Sequence, residues 1–213
     1  MKATLEVGPS GQVYRNGRQV FDSWNWRWKD VEGTPEEGRR AVDAVGALRA
    51  LGSSGKARRV PVGVIGPREA NEVQNRIAID LGRALAELGL TVICGGKNGV
   101  MEAVARGVQE GGGLCVGLLP EGDWREANPY ITLPIATGIG KARNVLIAQS
   151  CAALVAVGGQ YGTLSEIAFG LHFDKPVFGL ADAPDLPDIR KAESVEEVCR
   201  RLADYLLQPA DAS

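Results

Sequence analysis

The chain has 213 residues, a formal net charge of −2 and a single histidine, and a chain of this size buries a normal core without metal ions or disulfides. Its four cysteines lie far apart with no CxxC pair, so neither a zinc site nor a redox dithiol is indicated, and a reducing, cytoplasmic location is expected. No signal-peptide core begins the sequence, and no run reaches the roughly 18 apolar residues that span a bilayer. The slightly acidic balance argues against a globally basic nucleic-acid binder.

Residues 1–59 are predicted to form an N-terminal extension. They carry 11 basic and 7 acidic side chains, whereas residues 60–213 carry 13 and 19. Asn16 and Gly17 lie between two short β-prone runs, and this dipeptide favours a two-residue hairpin turn. A linker-like run, LGSSGKARR, places the boundary near Arg59.

Two further patterns lie in this extension. Trp24, Trp26 and Trp28 alternate with polar residues and are predicted to share one face of a strand. Such a stripe could form core, a subunit contact or a lid over a pterin or purine ring. The run TPEE predicts a helix start, with Thr34 as the cap and Glu37 completing a capping box.

From residue 60 onward, near-continuous apolar runs alternate with segments of helical periodicity. The run VPVGVIG comes first, and the last helical segment covers residues 194–207. Buried strands that alternate with helices indicate a parallel sheet with helices on both faces, because right-handed crossovers place helices on each side. We therefore predict an α/β chain, with a Rossmann-like, doubly wound domain at 60–213 and a small hairpin and helix extension before it.

Three glycine-bearing loops follow predicted strands: IGPRE at 65–69, CGGKNGVM at 94–101 and VGGQYGT at 157–163. Ligands bind beyond the carboxyl ends of such strands, where helix starts offer unpaired N–H groups and about half a positive charge. No loop has the spacing of a P-loop or of a dinucleotide-binding turn. The expected phosphate pocket is lined by Gly66, Gly95, Gly96, Asn98, Gly99, Gly159, Tyr161, Gly162 and Thr163.

Three motifs carry a family resemblance: CGGKNGVMEAVARG at 94–107, GKARN at 140–144 and GGQYGTLSE at 158–166. In this order they resemble the superfamily of the Lonely Guy (LOG) phosphoribohydrolases, often mislabelled lysine decarboxylases, and the molybdenum cofactor carrier proteins. The DNA-processing Rossmann proteins are more distant members. The resemblance covers roughly residues 60–180.

The sequence departs from the phosphoribohydrolase pattern, which has PGGxGTxxE in the third motif and an Arg-Lys pair in the second. Gly158 takes the proline position and Gln160 the position of the second glycine. Arg143 matches the arginine, but Asn144 stands where lysine is expected. The pattern is therefore closer to the carrier branch.

The resemblance implies a Rossmann-like protein that binds a nucleotide or another phosphorylated ligand, with a molybdenum cofactor (pterin phosphate) carrier as the first interpretation. The alternative is a phosphoribohydrolase that cleaves the N-glycosidic bond of nucleoside 5′-monophosphates. A single-stranded DNA binder is less expected, because no basic, aromatic-lined groove is evident. The resemblance also implies a homodimer or higher homo-oligomer, no required cofactor, and molybdenum cofactor or nucleotide as the bound ligand.

Glu166 and Arg143 are the candidate catalytic residues. In a hydrolase, Glu166 would orient the attacking water and stabilise the sugar cation, while Arg143 would hold phosphate or assist the leaving group. However, Thr163 and Glu166 also have the spacing of a capping box that needs no ligand. Ser194 and Glu197 repeat that spacing, and there we expect only a cap.

Three other side chains have alternative interpretations. Lys97 could contact ligand or be a surface charge, and Tyr161 could stack on a ring or pack over its turn. Glu102 is expected to interact with the dipole of its own helix.

Overall fold

The computed structural model describes residues 3–208. The chain forms two compact units, one from residues up to Arg59 together with those from Cys199 onward, and one covering Val60–Val198. The last part of the final helix, which the sequence assigned to the main domain, groups with the N-terminal residues. None of the described helices is long and apolar enough to cross a membrane.

Within the first unit, the described residues up to Arg59 form a five-stranded antiparallel sheet and one helix. The sheet order is β4-β3-β2-β1-β5, and the elements are β1 Leu5–Val7, β2 Val13–Arg15, β3 Gln19–Asp22, β4 Arg27–Asp30, β5 Arg40–Val42 and α1 Ala44–Ser53. The hairpin between β2 and β3 is confirmed, because Asn16 and Gly17 form its turn with φ angles of 51° and 65°.

The helix predicted at Thr34 is wrong. The helix of this unit begins at Ala44 instead, where the Asp43 carboxylate accepts a hydrogen bond from the first turn. Gly38 has a φ of 72°, and β5 then pairs with β1 in an extended conformation. A helix that began at Thr34 could not continue through the positive φ of Gly38 or the extended strand β5. Sheet pairing therefore overrides the local capping pattern.

The tryptophan stripe does not lie on one strand face. Only Trp28 lies in β4, whereas Trp26 belongs to the preceding turn with a φ of 52°. Both rings pack edge-on against Phe21, with centroids 5.0 and 5.5 Å away. Trp24 is 57% exposed, because the Asp22 carboxylate accepts its backbone N–H and turns the chain there. Two of the three rings are therefore core of this unit.

The second unit contains a seven-stranded parallel sheet in the order β12-β11-β10-β6-β7-β8-β9. Helix pair α2 and α3 packs on one face, and pair α4 and α5 on the other, so the predicted Rossmann-like fold is confirmed. The strands are β6 Pro61–Ile65, β7 Thr91–Cys94, β8 Leu114–Leu119, β9 Leu133–Ala136, β10 Ala153–Val157, β11 Val177–Leu180 and β12 Ile189–Lys191. The helices are α2 Glu72–Glu87, α3 Val100–Glu110, α4 Arg143–Ser150, α5 Tyr161–His172 and α6 Val195–Leu206.

The chain reverses its direction across the sheet at β6. It proceeds from β6 through β7, β8 and β9 on one side, then returns to β10 on the other side of β6. The carboxyl ends of β10, β6 and β7 are therefore neighbours at a topological switch point, where open α/β sheets bind ligands.

Candidate functional site

The three predicted glycine loops meet at this switch point. Val100 N donates a hydrogen bond of 3.1 Å to the carbonyl oxygen of Pro67, which joins the second loop to the first. A Cβ added at Gly66 would lie 2.7 Å from the carbonyl oxygen of Val157 at the end of β10, and one at Gly99 would overlap the backbone of Pro67 and Arg68. Only glycine allows these loop backbones to come so close.

The helices behind the second and third loops begin without a side-chain cap. Gly99 precedes α3 and Gln160 precedes α5. Neither residue accepts a hydrogen bond from the helix N–H groups through a side chain. By contrast, Asp43 caps α1 and Asn71 caps α2. The N–H of Val100 is bonded to Pro67, but the other N–H groups in the first turns of α3 and α5, with the positive end of each helix dipole, are open to an anion.

The start of α5 is also open in space. A Cβ at Gly162 would meet nothing within 4 Å, and the neighbouring Tyr161 is 91% exposed. Tyr161 therefore does not pack over its turn. A ligand could approach the α5 backbone from this side without displacing a side chain.

Arg143 and Glu166 form a buried ion pair beneath the loops. Each residue is only 6% exposed, and Arg143 Nη1 lies 3.1 Å from Glu166 Oε1. The same Nη1 contacts the side-chain oxygen of Asn144. A Cβ at Gly95 would overlap the guanidinium, so the glycine of the second loop makes room for this arginine.

Burial raises the pKa of Glu166 to about 7, against the opposing attraction of Arg143. The carboxyl group is removed from water, which disfavours its charged form, and a single neighbouring cation only partly compensates. A carboxyl group with a pKa near neutrality can exchange protons at physiological pH. The structure thus brings both predicted catalytic residues together.

The alternative interpretation of Thr163 and Glu166 as a capping box is wrong. Helix α5 begins at Tyr161, so Thr163 already lies inside the first turn, and Gln160 occupies the cap position. Thr163 Oγ1 is buried with no hydrogen-bond partner among the described residues, and Glu166 binds Arg143 instead. Neither side chain therefore caps α5.

Asn144, at the position where phosphoribohydrolases have lysine, links two helices. Its Nδ2 donates a 2.8 Å hydrogen bond to Ser165 Oγ, and Ser165 Oγ donates a 2.7 Å bond to the carbonyl oxygen of Gly162. Ser165 was not among the predicted site residues. Its only signal was its position between Thr163 and Glu166 within the third motif.

Lys97 fastens the second loop to residues 120–131, a segment that we call the strap. Its Nζ donates to the carbonyl oxygen of Glu126 at 2.8 Å and lies 3.2 Å from the Glu121 carboxylate. Asn128 completes the attachment, because its Nδ2 donates to the carbonyl oxygen of Lys97 and its N–H to that of Gly96, both at 2.9 Å. Lys97 is therefore a structural contact, while its neighbour Asn98 is exposed.

The other predicted site residues lie in the second and third loops. Gly95 and Gly96 are buried in the second loop, and Gly159 lies against Pro184 in the third. Across residues 3–208, no group of three or more His, Cys, Asp or Glu side chains is arranged to hold a metal ion. The described site consists of backbone donors, one hydroxyl and one ion pair.

Comparison with known proteins identifies the family. Residues 59–204 match the model of the SLOG cluster4 family. The chain belongs to the SLOG cluster4 family. An uncharacterized protein of Archaeoglobus fulgidus is 44% identical over 136 residues, which are 64% of this chain and 89% of that protein. The probable cytokinin riboside 5′-monophosphate phosphoribohydrolase LOGL5 of Oryza sativa is 36% identical over 93 residues, 42% of this chain and 38% of that protein.

Solved structures that resemble this chain belong to the same superfamily. The molybdenum cofactor binding protein of Rippkaea orientalis superposes with a TM-score of 0.66 at 32% identity, covering 71% of this SLOG chain and 99% of that one. The molybdenum cofactor carrier protein of Chlamydomonas reinhardtii gives 0.66 at 32% identity, covering 71% and 100%. DNA processing protein A of Streptococcus pneumoniae gives 0.55 at 16% identity, covering 66% and 60%, and shares the fold. The superfamily recognised from the three motifs is confirmed.

Proposed function

We propose that this SLOG protein binds a phosphorylated heterocyclic small molecule at the loops after β10, β6 and β7, as a carrier of the molybdenum cofactor type. The observation that carries the proposal is the pair of uncapped starts of α3 and α5 at one topological switch point. Unpaired backbone N–H groups at two helix starts suit a phosphate. The solved neighbours named as molybdenum cofactor proteins support a pterin phosphate as the ligand.

The residues at α5 fit the phosphate end of such a ligand. Thr163 Oγ1 is a buried hydroxyl without a partner, and a buried polar group in this state costs free energy unless something binds it. The open surface at Gly162 allows phosphate oxygens to reach the backbone N–H groups. Because the charge of Arg143 is balanced by Glu166, neutral donors would provide most of the binding.

A phosphoribohydrolase is the second candidate, favoured by the pKa of Glu166 near 7. In this reaction the carboxylate would take a proton from water as the water oxygen bonds to the sugar carbon. The C–N bond would break, and the base would leave with the bonding electrons and accept a proton. Arg143 would position the carboxylate. The neutral Asn144 at the lysine position argues against this candidate.

Incubation with AMP, GMP, CMP and UMP tests both candidates. Free base is followed by chromatography and ligand binding by the shift of the thermal midpoint, with Glu166→Gln as the variant and Glu197→Gln as the matched control. The carrier proposal expects thermal stabilisation by at least one monophosphate and no base from any of them. Base release that disappears in Glu166→Gln alone would establish the hydrolase. An unchanged thermal midpoint with all four, and no base, would contradict both candidates.

Self-association stays a prediction of the family resemblance. Leu146 on α4 and Phe169 on α5 are exposed apolar side chains on two helices that pack together, which supports pairing through this face. Sedimentation velocity of the full chain should give the mass of a dimer or larger assembly.

A further inference from the structure

A cavity borders the proposed phosphate site. It has a volume of about 320 Å³ and lies between α2, α3 and the strap. Asn75 and Ile79 come from α2, Glu102 from α3 and Tyr130 from the strap, while Gly99 forms the end nearest the glycine loops. Its volume lies within the range of small-molecule pockets.

Gly99 connects this cavity to the anion site. The residue lines the cavity and also precedes the uncapped start of α3. A ligand whose phosphate occupies the loops could therefore extend past Gly99 and place another group between α2 and α3. This step rests on the proposed function.

The wall of the cavity includes two side-chain hydrogen-bond acceptors, those of Glu102 and Asn75. Within residues 3–208, no side chain forms an ion pair or a hydrogen bond with the Glu102 carboxylate. The Asn75 amide donates to the carbonyl oxygen of Ala70 at 3.3 Å, which leaves its own oxygen as an acceptor. Arg106 also lines the cavity, but its charge is engaged by Glu110, to which its Nε donates a hydrogen bond of 2.9 Å.

The charge of Glu102 decides which end of a ligand enters. A carboxylate repels a phosphate, so the phosphate belongs on the loop side of Gly99. The uncharged end that enters the cavity must present N–H donors to the Glu102 oxygens. Tyr130 and Ile79 offer a ring face and an aliphatic surface for a planar group.

We infer that this cavity holds the ring of the ligand and that Glu102 selects a 2-amino-4-oxopyrimidine edge, as found in guanine and pterins. This edge places a ring N–H beside an amino group, and a carboxylate accepts both in a bidentate contact. Adenine presents an amino group beside an acceptor nitrogen, which faces the carboxylate unfavourably. Glu102 is thus a specificity-determining residue.

Titration calorimetry with GMP, IMP and AMP on the full chain tests this inference. We expect GMP to bind at least about tenfold more tightly than AMP, the size of one good bidentate contact, and more tightly than IMP, which lacks the amino group. In Glu102→Gln the GMP preference should fall by about tenfold with AMP binding unchanged. Glu72→Gln is the matched control, because it removes a first-turn charge from α2 and should leave the preference intact.

The possible outcomes distinguish the ring site at Glu102 from phosphate binding at the loops. Equal binding of GMP, IMP and AMP to the unmodified chain would overturn the role of Glu102 while leaving phosphate binding at the loops supported. Binding of none of the three nucleotides would contradict both the ring site and the proposed function. The comparison within the unmodified chain holds even if Glu102→Gln does not fold.

Discussion

The starts of α5 and α6 share one sequence pattern but differ in structure. At α6, Ser194 Oγ accepts the Glu197 N–H at 3.2 Å, and the Glu197 carboxylate accepts the Glu193 N–H at 2.9 Å. At α5, Thr163 Oγ1 has no partner among the described residues and Glu166 binds Arg143. The pattern is structural in one helix and available for function in the other.

The difference arises from where each helix begins. Helix α6 begins at Val195, so Ser194 lies at the cap position. Helix α5 begins two residues before Thr163, so the hydroxyl points from inside the first turn and no longer reaches the end of the helix. A capping pattern displaced from the cap position indicates a ligand site more strongly than the pattern alone.

Arg143→Met should have the largest effect on stability. The substitution leaves Glu166 buried without its cation, and breaking a buried ion pair in this way costs about 3–5 kcal/mol. Urea unfolding followed by circular dichroism measures the loss. Arg106→Met, which removes an exposed arginine from α3, serves as the control and should cost less than about 1 kcal/mol. Similar losses in both variants would contradict the buried pair.

Glu166→Gln should remove a pH dependence of stability that Glu197→Gln leaves intact. The pKa of Glu166 is raised from 4.5 to about 7 in the folded chain, so the folded state holds more protons than the unfolded state between these values. The free energy of unfolding of the unmodified chain should therefore fall as pH rises through this window. Unfolding at pH 4.5, 6 and 7.5 measures the slope, and an unchanged slope in Glu166→Gln would refute the shift.

Ser194→Ala and Thr163→Val separate the two helix starts directly. Loss of the Ser194 cap should cost about 1 kcal/mol. Thr163→Val should be close to neutral for stability, because it replaces an unpartnered buried hydroxyl with a methyl group of similar size. Thermal unfolding of both variants gives the comparison, and a cost for Thr163→Val equal to that for Ser194→Ala would show that Thr163 has a structural partner.

Gly162→Ala should increase the free energy of unfolding slightly. A Cβ there meets nothing within 4 Å, and alanine is favoured over glycine inside a helix by up to about 1 kcal/mol. If phosphate approaches this backbone, the same methyl group should weaken GMP binding in calorimetry. If Gly162→Ala is stabilised but binds GMP with unchanged affinity, the phosphate does not bind against the backbone at Gly162.

Much of the second unit could be predicted from its sequence. The apolar runs that became β6, β7 and β10 are almost entirely buried, and each is followed by a glycine loop and then by helical periodicity. Strand β12, Ile189–Lys191, was missed, because three residues at a sheet edge with two exposed basic side chains carry no apolar signal.

The N-terminal unit and the site details were harder to predict. The order β4-β3-β2-β1-β5 depends on pairing between β1 and β5, which no local pattern encodes and which overrode the helix signal at Thr34. In the site, the sequence identified Arg143 and Glu166 but not their contact. Lys97 could not be assigned either, because the strap residues that bind it lie more than twenty positions away.

Calorimetric titration of GMP into the unmodified chain, Thr163→Val and Ser194→Ala tests the central claim most directly. We predict that the unmodified chain and Ser194→Ala bind GMP with the same affinity, because the cap of α6 is only structural. Thr163→Val should bind about tenfold more weakly, the loss of one hydrogen bond to a charged phosphate. Equal GMP affinity in all three proteins would contradict a ligand site at the start of α5.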